Sequence, residues 1–169
     1  MNIRQATKND LDKLVELDRK AYGDYGAKKK YFARKFKQFP EGMLVVEEGN
    51  KLTGLVFFEI IAKGKLPEEF RDMILETPVK GKWMHPVIFT TDSNYKDKNS
   101  DSLLLKSAEK LAKELGCMEA CVPLTKNHPY KENGVFDFWI LNDYSNAGEI
   151  KWVPNKSDSF ECFVYRKAL

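Results

Sequence analysis

Cysteine and histidine are both scarce in this chain of 169 residues. Its three cysteines, Cys117, Cys121 and Cys162, are odd in number and none has another two residues away. That pattern argues against a disulfide framework, a zinc knuckle or a redox pair, and for buried free thiols. The two histidines, His85 and His128, lie far apart in sequence, so no metal site is expected. Long apolar runs are missing too. Stretches such as Leu55 to Phe58 fall far short of the roughly 18 to 20 residues that a membrane span needs. Met1-Asn2-Ile3-Arg4-Gln5 lacks the basic-then-apolar pattern of a signal peptide, so a cytoplasmic protein is expected. Neither sign of charge is in excess: 28 Lys+Arg against 25 Asp+Glu gives a formal charge of +3. This balance disfavours nucleic acid as a partner.

What the chain does have is core-forming material. With 43% hydrophobic and 12% aromatic residues it is neither disordered nor of low complexity, and its length fits one domain over 1–169. Ile3 to Ala6 alternates like a short strand. Asn9-Asp10 then offers an N-cap to a helix bearing Leu11, Leu14, Val15, Leu17 and Ala21. A second helix from about Lys29, stopped by Pro40, places Phe32, Phe36 and Phe39 beside Lys28, Lys29, Lys30, Arg34, Lys35 and Lys37. Met43 to Glu47 and Leu52 to Ile61 form a hairpin pattern around Glu48-Gly49-Asn50-Lys51. Pro67 to Leu75 reads as an inserted helix, and Trp83 to Thr91 as a further strand.

The clearest helix follows, starting near Ser102, with Leu104, Leu105, Ala108, Leu111, Ala112 and Leu115 on one stripe and Gly116 as its C-terminal cap. Cys117 to Pro123 is a strand, and this strand-helix-strand unit suits a right-handed parallel crossover. A short helix over Phe136 to Tyr144 and two strands, around Glu149 to Val153 and Phe160 to Arg166, complete the pattern. Together these elements predict an α/β (α+β) domain. Its mixed sheet has about seven strands, splays between the fourth and fifth, and is flanked by helices.

Two gap-free segments carry a resemblance. Asp92 to Leu105 aligns with a strand-to-helix turn of the pattern Arg/Gln-x-x-Gly-x-Gly/Ala, whose positions here are Lys96, Asn99 and Asp101. Phe138-Trp139-Ile140-Leu141-Asn142-Asp143-Tyr144 aligns with a Phe-Tyr-x-x-x-Gly-Phe segment before the penultimate strand. With the element order, they resemble the GNAT N-acetyltransferase superfamily over essentially the whole chain. The resemblance implies an acyltransferase that uses acetyl-CoA or another acyl-CoA as cosubstrate, without a metal. The acceptor it implies is a small-molecule or peptide amine, with a homo-oligomer and an acidic acceptor both admitted.

On that resemblance the cosubstrate's pyrophosphate meets Lys96, Lys98, Asn99, Ser100, Asp101 and Ser102 at a helix N-terminus. Its pantetheine arm meets the strand at Phe89 and Thr91, and Trp139 stands where the family has its tyrosine acid. Eleven residues before Lys96 stands His85, at the position of the family's general base. An imidazole there titrates in the range a base needs. The departures are equally specific. Both glycines of the turn are replaced, by Asn99 and Asp101, and an indole donates no proton at usable pKa. A catalytically degenerate binding or regulatory module with the same fold is therefore the second expectation, and an RNA-associated domain, argued only from the basic helix, a third.

Overall fold

The structure, a computed structural model, describes residues 1–64, 78, 81–92, 99–153 and 158–169. The expected helix over Pro67 to Leu75, together with Lys96 and Lys98, lies outside the described residues. The strands are β1 (Asn2–Gln5), β2 (Met43–Glu48), β3 (Lys51–Ala62), β4 (Lys82–Thr91), β5 (Cys117–Thr125), β6 (Ser145–Trp152) and β7 (Phe160–Ala168). The helices are α1 (Leu11–Tyr22), α2 (Lys29–Gln38), α3 (Ser100–Glu114) and α4 (Val135–Leu141). One mixed sheet holds the strands in the order β1-β2-β3-β4-β5-β7-β6, with β4 and β5 parallel. Among the described residues no helix is long and apolar enough to cross a membrane.

Contacts group the chain into two compact units, 1–59 with 86–111 and 60–85 with 112–169. In the first, β2 and β3 are apolar on successive residues, and Met43 to Val46 and Leu52 to Phe58 are all buried. Such runs mark strands covered on both faces. Leu14 and Leu17 of α1 and Phe32 of α2 pack on Met43, Val45, Leu55 and Phe57, with Leu11, Val15, Phe36 and Phe39 around them. Gly42 is required for a close approach, because a Cβ there would stand 2.3 Å from the Phe58 carbonyl oxygen and 2.5 Å from the Phe39 ring.

Two expectations for this unit are corrected. Asp10 does not cap α1 through its side chain. Its carboxylate turns back to accept the Thr7 N–H and hydroxyl at 2.7 and 2.9 Å and a two-pronged ion pair from Arg4, because charged donors outcompete a single helix N–H. Lys35 is not part of the solvated basic face. It is 2% exposed and bonded to Glu59 of β3 at 2.6 Å, on the apolar side of α2, where its aliphatic stem packs as a hydrophobe.

In the second unit the β4–β5 register runs from Lys82↔Cys117 to Met84↔Ala120, and β5 pairs antiparallel with β7 along Glu119 to Thr125. β6 closes the hairpin on β7. Ile61, Trp83, Cys121 and Val164 form its core, and all three cysteines are buried free thiols. Burial pushes each thiol up to about 11.

Candidate active site

His85 lies in the second unit, one residue beyond the last registered β4–β5 pair. The side chain is buried, and its Nδ1 is 3.1 Å from the Cys121 carbonyl oxygen. A carbonyl only accepts, so Nδ1 carries the proton and Nε2 is the basic nitrogen of the neutral ring. That hydrogen bond orients the imidazole and selects its tautomer, which a general base requires.

Alternation along the strands puts other groups on the same sheet face. Trp83, two residues before His85, pairs with Glu119, and Cys121 pairs with Arg166. The Arg166 guanidinium lies over the Trp83 ring, 4.3 Å from its centroid. Trp139, also in this unit, is 3% exposed on α4 and meets Tyr144 and Phe138 edge-to-face at 5.0 and 5.4 Å. It is a packed aromatic in a cluster of rings.

The first unit carries the expected pantetheine and pyrophosphate positions. Phe89 and Thr91 are partly buried at the end of β4, and the Phe89 carbonyl accepts the Tyr22 hydroxyl at 3.2 Å. Two further links join α1 to this strand end. Asp18, 3% exposed, accepts the Thr90 hydroxyl at 2.7 Å and the Ala27 N–H at 2.6 Å. Lys20 bonds Asp92 at 2.7 Å. Sequence reasoning passed over Asp18 and Thr90. The available signal was a carboxylate interrupting the apolar face of α1 directly after Leu17, since a buried charge is kept only where partners satisfy it.

At the start of α3 the helix begins at Ser100, two residues before its expected start, and this is a correction with a local cause. Asn99 takes a left-handed conformation, φ 53°, so the chain turns there and helical geometry follows at once. Asparagine is one of the few residues other than glycine that adopt this conformation readily. Asp101 consequently sits in the first helical turn rather than at the cap. Its carboxylate accepts the Ser102 N–H at 2.8 Å, and the Asn99 carbonyl accepts the Leu103 N–H at 3.0 Å. Two of the N–H groups that open the helix are thereby satisfied within it. Ser100 is buried and Ser102 partly so.

No family model matches the chain, and no curated protein matches it in sequence. Solved structures do match in fold. Naa20 from Chaetomium thermophilum, in complex with a bisubstrate analogue, superposes with a TM-score of 0.76 at 14% identity, covering 100% of this chain and 87% of that one. The protein yncA from Salmonella typhimurium, with its cofactor acetyl-CoA, gives 0.70 at 14% identity over 100% and 94%. GphF, a GNAT-like decarboxylase in complex with isobutyryl-CoA, gives 0.77 at 17% identity over 99% of both chains. With the strand order, the parallel β4–β5 pair and the helix that joins them, these likenesses establish that the chain has the fold of the GNAT acetyltransferases.

Proposed function

We propose that this protein is an N-acyltransferase that moves an acetyl or related acyl group from acyl-CoA to an amine by direct attack in a ternary complex. The observation that carries this reading is His85, a buried imidazole on β4 whose Nδ1 is committed to the Cys121 carbonyl and whose basic nitrogen is Nε2. The isobutyryl-CoA and acetyl-CoA named for two of the similar structures support the cosubstrate. The decarboxylase among them means that the fold alone does not select the reaction, so the choice rests on the base.

In the proposed reaction Nε2 takes a proton from the acceptor ammonium, directly or through one water, and the amine then attacks the thioester carbonyl. The thiolate of CoA has a pKa near that of a free thiol and departs without a strong acid, so Trp139 at the acid position slows the reaction without stopping it. The pantetheine contact falls to Phe89 and Thr91, and the pyrophosphate to Lys96, Lys98 and the opening turn of α3 from Asn99 to Ser102. Lys28, Lys30, Arg34 and Lys37 leave α2 with an exposed cationic surface, which favours an acidic acceptor.

A second reading, a binding or regulatory module of the same fold, is favoured by one feature, the Asp101 carboxylate on the Ser102 N–H. The test is acetyl transfer to a panel of amines. His85→Ala is expected to lower kcat/KM at least about 100-fold with acetyl-CoA affinity nearly unchanged. A wild-type protein that acetyl-CoA does not stabilise at all, where 100 times Kd would add about 2.7 kcal/mol, is the module.

A further inference from the structure

Arg166 is placed unusually for a cation. It projects from β7 onto the face that carries Trp83, Glu119 and Cys121, and its guanidinium carbon stands over the indole of Trp83, 4.3 Å from the ring centroid. The guanidinium also rests against the Cys121 thiol. Its nearest carboxylate is Glu119, 3.7 Å from Nε, too far for a hydrogen bond. Nε itself is buried and has no hydrogen-bond partner among the described residues. Leaving a buried donor unmade is costly, and such groups are few in native proteins. The side chains of Arg166 and Glu119 are nevertheless 31% and 27% exposed, so the pair is reached from solvent.

The geometry points to Arg166 as the residue that recognises a carboxylate on the acceptor, making the substrate an amine with a carboxylate a few bonds away. This inference rests on the acyl-transfer reading of His85. Trp83 and His85 are two residues apart on one strand and share a face, which separates them by about 7 Å. A guanidinium held over Trp83 is therefore on the same face of the sheet as the proposed base. Its planar fork offers paired donors that match a carboxylate. The Trp83 ring attracts and holds the guanidinium, and Glu119 compensates its charge without taking its hydrogen bonds. A free amino acid and a peptide beginning with an acidic residue present the same chemistry.

The test pairs acid and amide probes, β-alanine with β-alaninamide and the peptide Glu-Ala-Ala with Gln-Ala-Ala. In nitrogen-resolved NMR of the whole chain, the acid probe of the recognised source is expected to move the Arg166 guanidinium N–H signals downfield as the solvent-reached part of the fork gains an acceptor, and its amide is not. The acid-over-amide preference in kcat/KM for acetyl transfer is expected to fall about 10-fold to 100-fold in Arg166→Gln, mostly through KM, and to recover in part in Arg166→Lys. A merely structural residue would lower both probes alike, and that result, or a wild type that does not distinguish acid from amide, overturns the inference. The NMR arm needs no turnover, so a shifted guanidinium signal without acetyl transfer supports the carboxylate site and sinks the acyl-transfer reading instead. Response to β-alanine or to Glu-Ala-Ala identifies the source.

Discussion

The Asp18 carboxylate of α1 and the Thr90 hydroxyl of β4 are joined by a buried 2.7 Å hydrogen bond, and the same carboxylate holds the Ala27 N–H at 2.6 Å. One side chain thereby ties a helix, the loop that follows it and the end of a strand. Tyr22 and Lys20 reinforce the link at Phe89 and Asp92.

Asp18→Ala removes a carboxylate acceptor from two buried donors and is expected to cost about 3 kcal/mol of stability, while Thr90→Val costs about 1 to 2 kcal/mol. Urea denaturation of the single and double variants measures the coupling. Additivity within about 0.5 kcal/mol would mean that the two side chains do not act on each other.

Acid should unfold the protein partly through Asp10. Hydrogen bonds from Arg4 hold its carboxyl far below the usual carboxylate range, with the Thr7 N–H and hydroxyl adding to the effect. Because the folded-state pKa is depressed, the stabilisation is present above the unfolded value near 3.9 and is lost as pH falls below it. Asp10→Asn should therefore be less stable than wild type at pH 7, with the gap closing below about pH 4. A gap that stays constant from pH 7 to pH 2.5 would contradict the ion-pair origin.

Asp101 is expected to oppose an anionic cosubstrate. Asp101→Asn keeps an oxygen for the Ser102 N–H and removes the charge, whereas Asp101→Gly would also place a glycine in a helical turn, at about 1 kcal/mol. A unit charge 4 Å away accounts for about 1 kcal/mol in water and about 4 at an effective dielectric of 20. Acetyl-CoA should bind the Asn variant about tenfold to a thousandfold more tightly by calorimetry. Equal affinity would show that the carboxylate faces away from the phosphates.

The three thiols should resist aromatic disulfide reagents at pH 8 in the native protein, since burial raises each to about 11 and the thiolate is the reactive form. In denaturant all three should react. A raised thiol pKa also stabilises the fold only at lower pH, and that contribution fades as pH climbs past about 8.5, the unfolded value. Rapid modification of a native thiol would place that cysteine at the surface.

Most elements were legible in the sequence because they depend on local spacing. The stripe of Leu104, Leu105, Ala108 and Ala112, the Gly116 cap and the apolar runs of β2 and β3 each announce themselves within a dozen residues. The start of α3 at Ser100 is not legible in the sequence because Asn99, Ser100 and Asp101 all suit a cap, and only the backbone conformation chosen by Asn99 decides among them. Counting from the turn singles out His85 as a candidate, but not its tautomer, since the Cys121 carbonyl that sets it is 36 residues away.

By itself, then, the sequence determined the order and type of the elements, the apolar faces and the replacement of both turn glycines, all properties of neighbours along the chain. Tertiary structure alone decided which charges are buried and what they meet: Lys35 on Glu59, Asp18 under Thr90, and Arg166 over Trp83. The reason is physical. A side chain's solvation and hydrogen-bond partners are set by strand register and helix packing, which bring together residues that no local pattern relates.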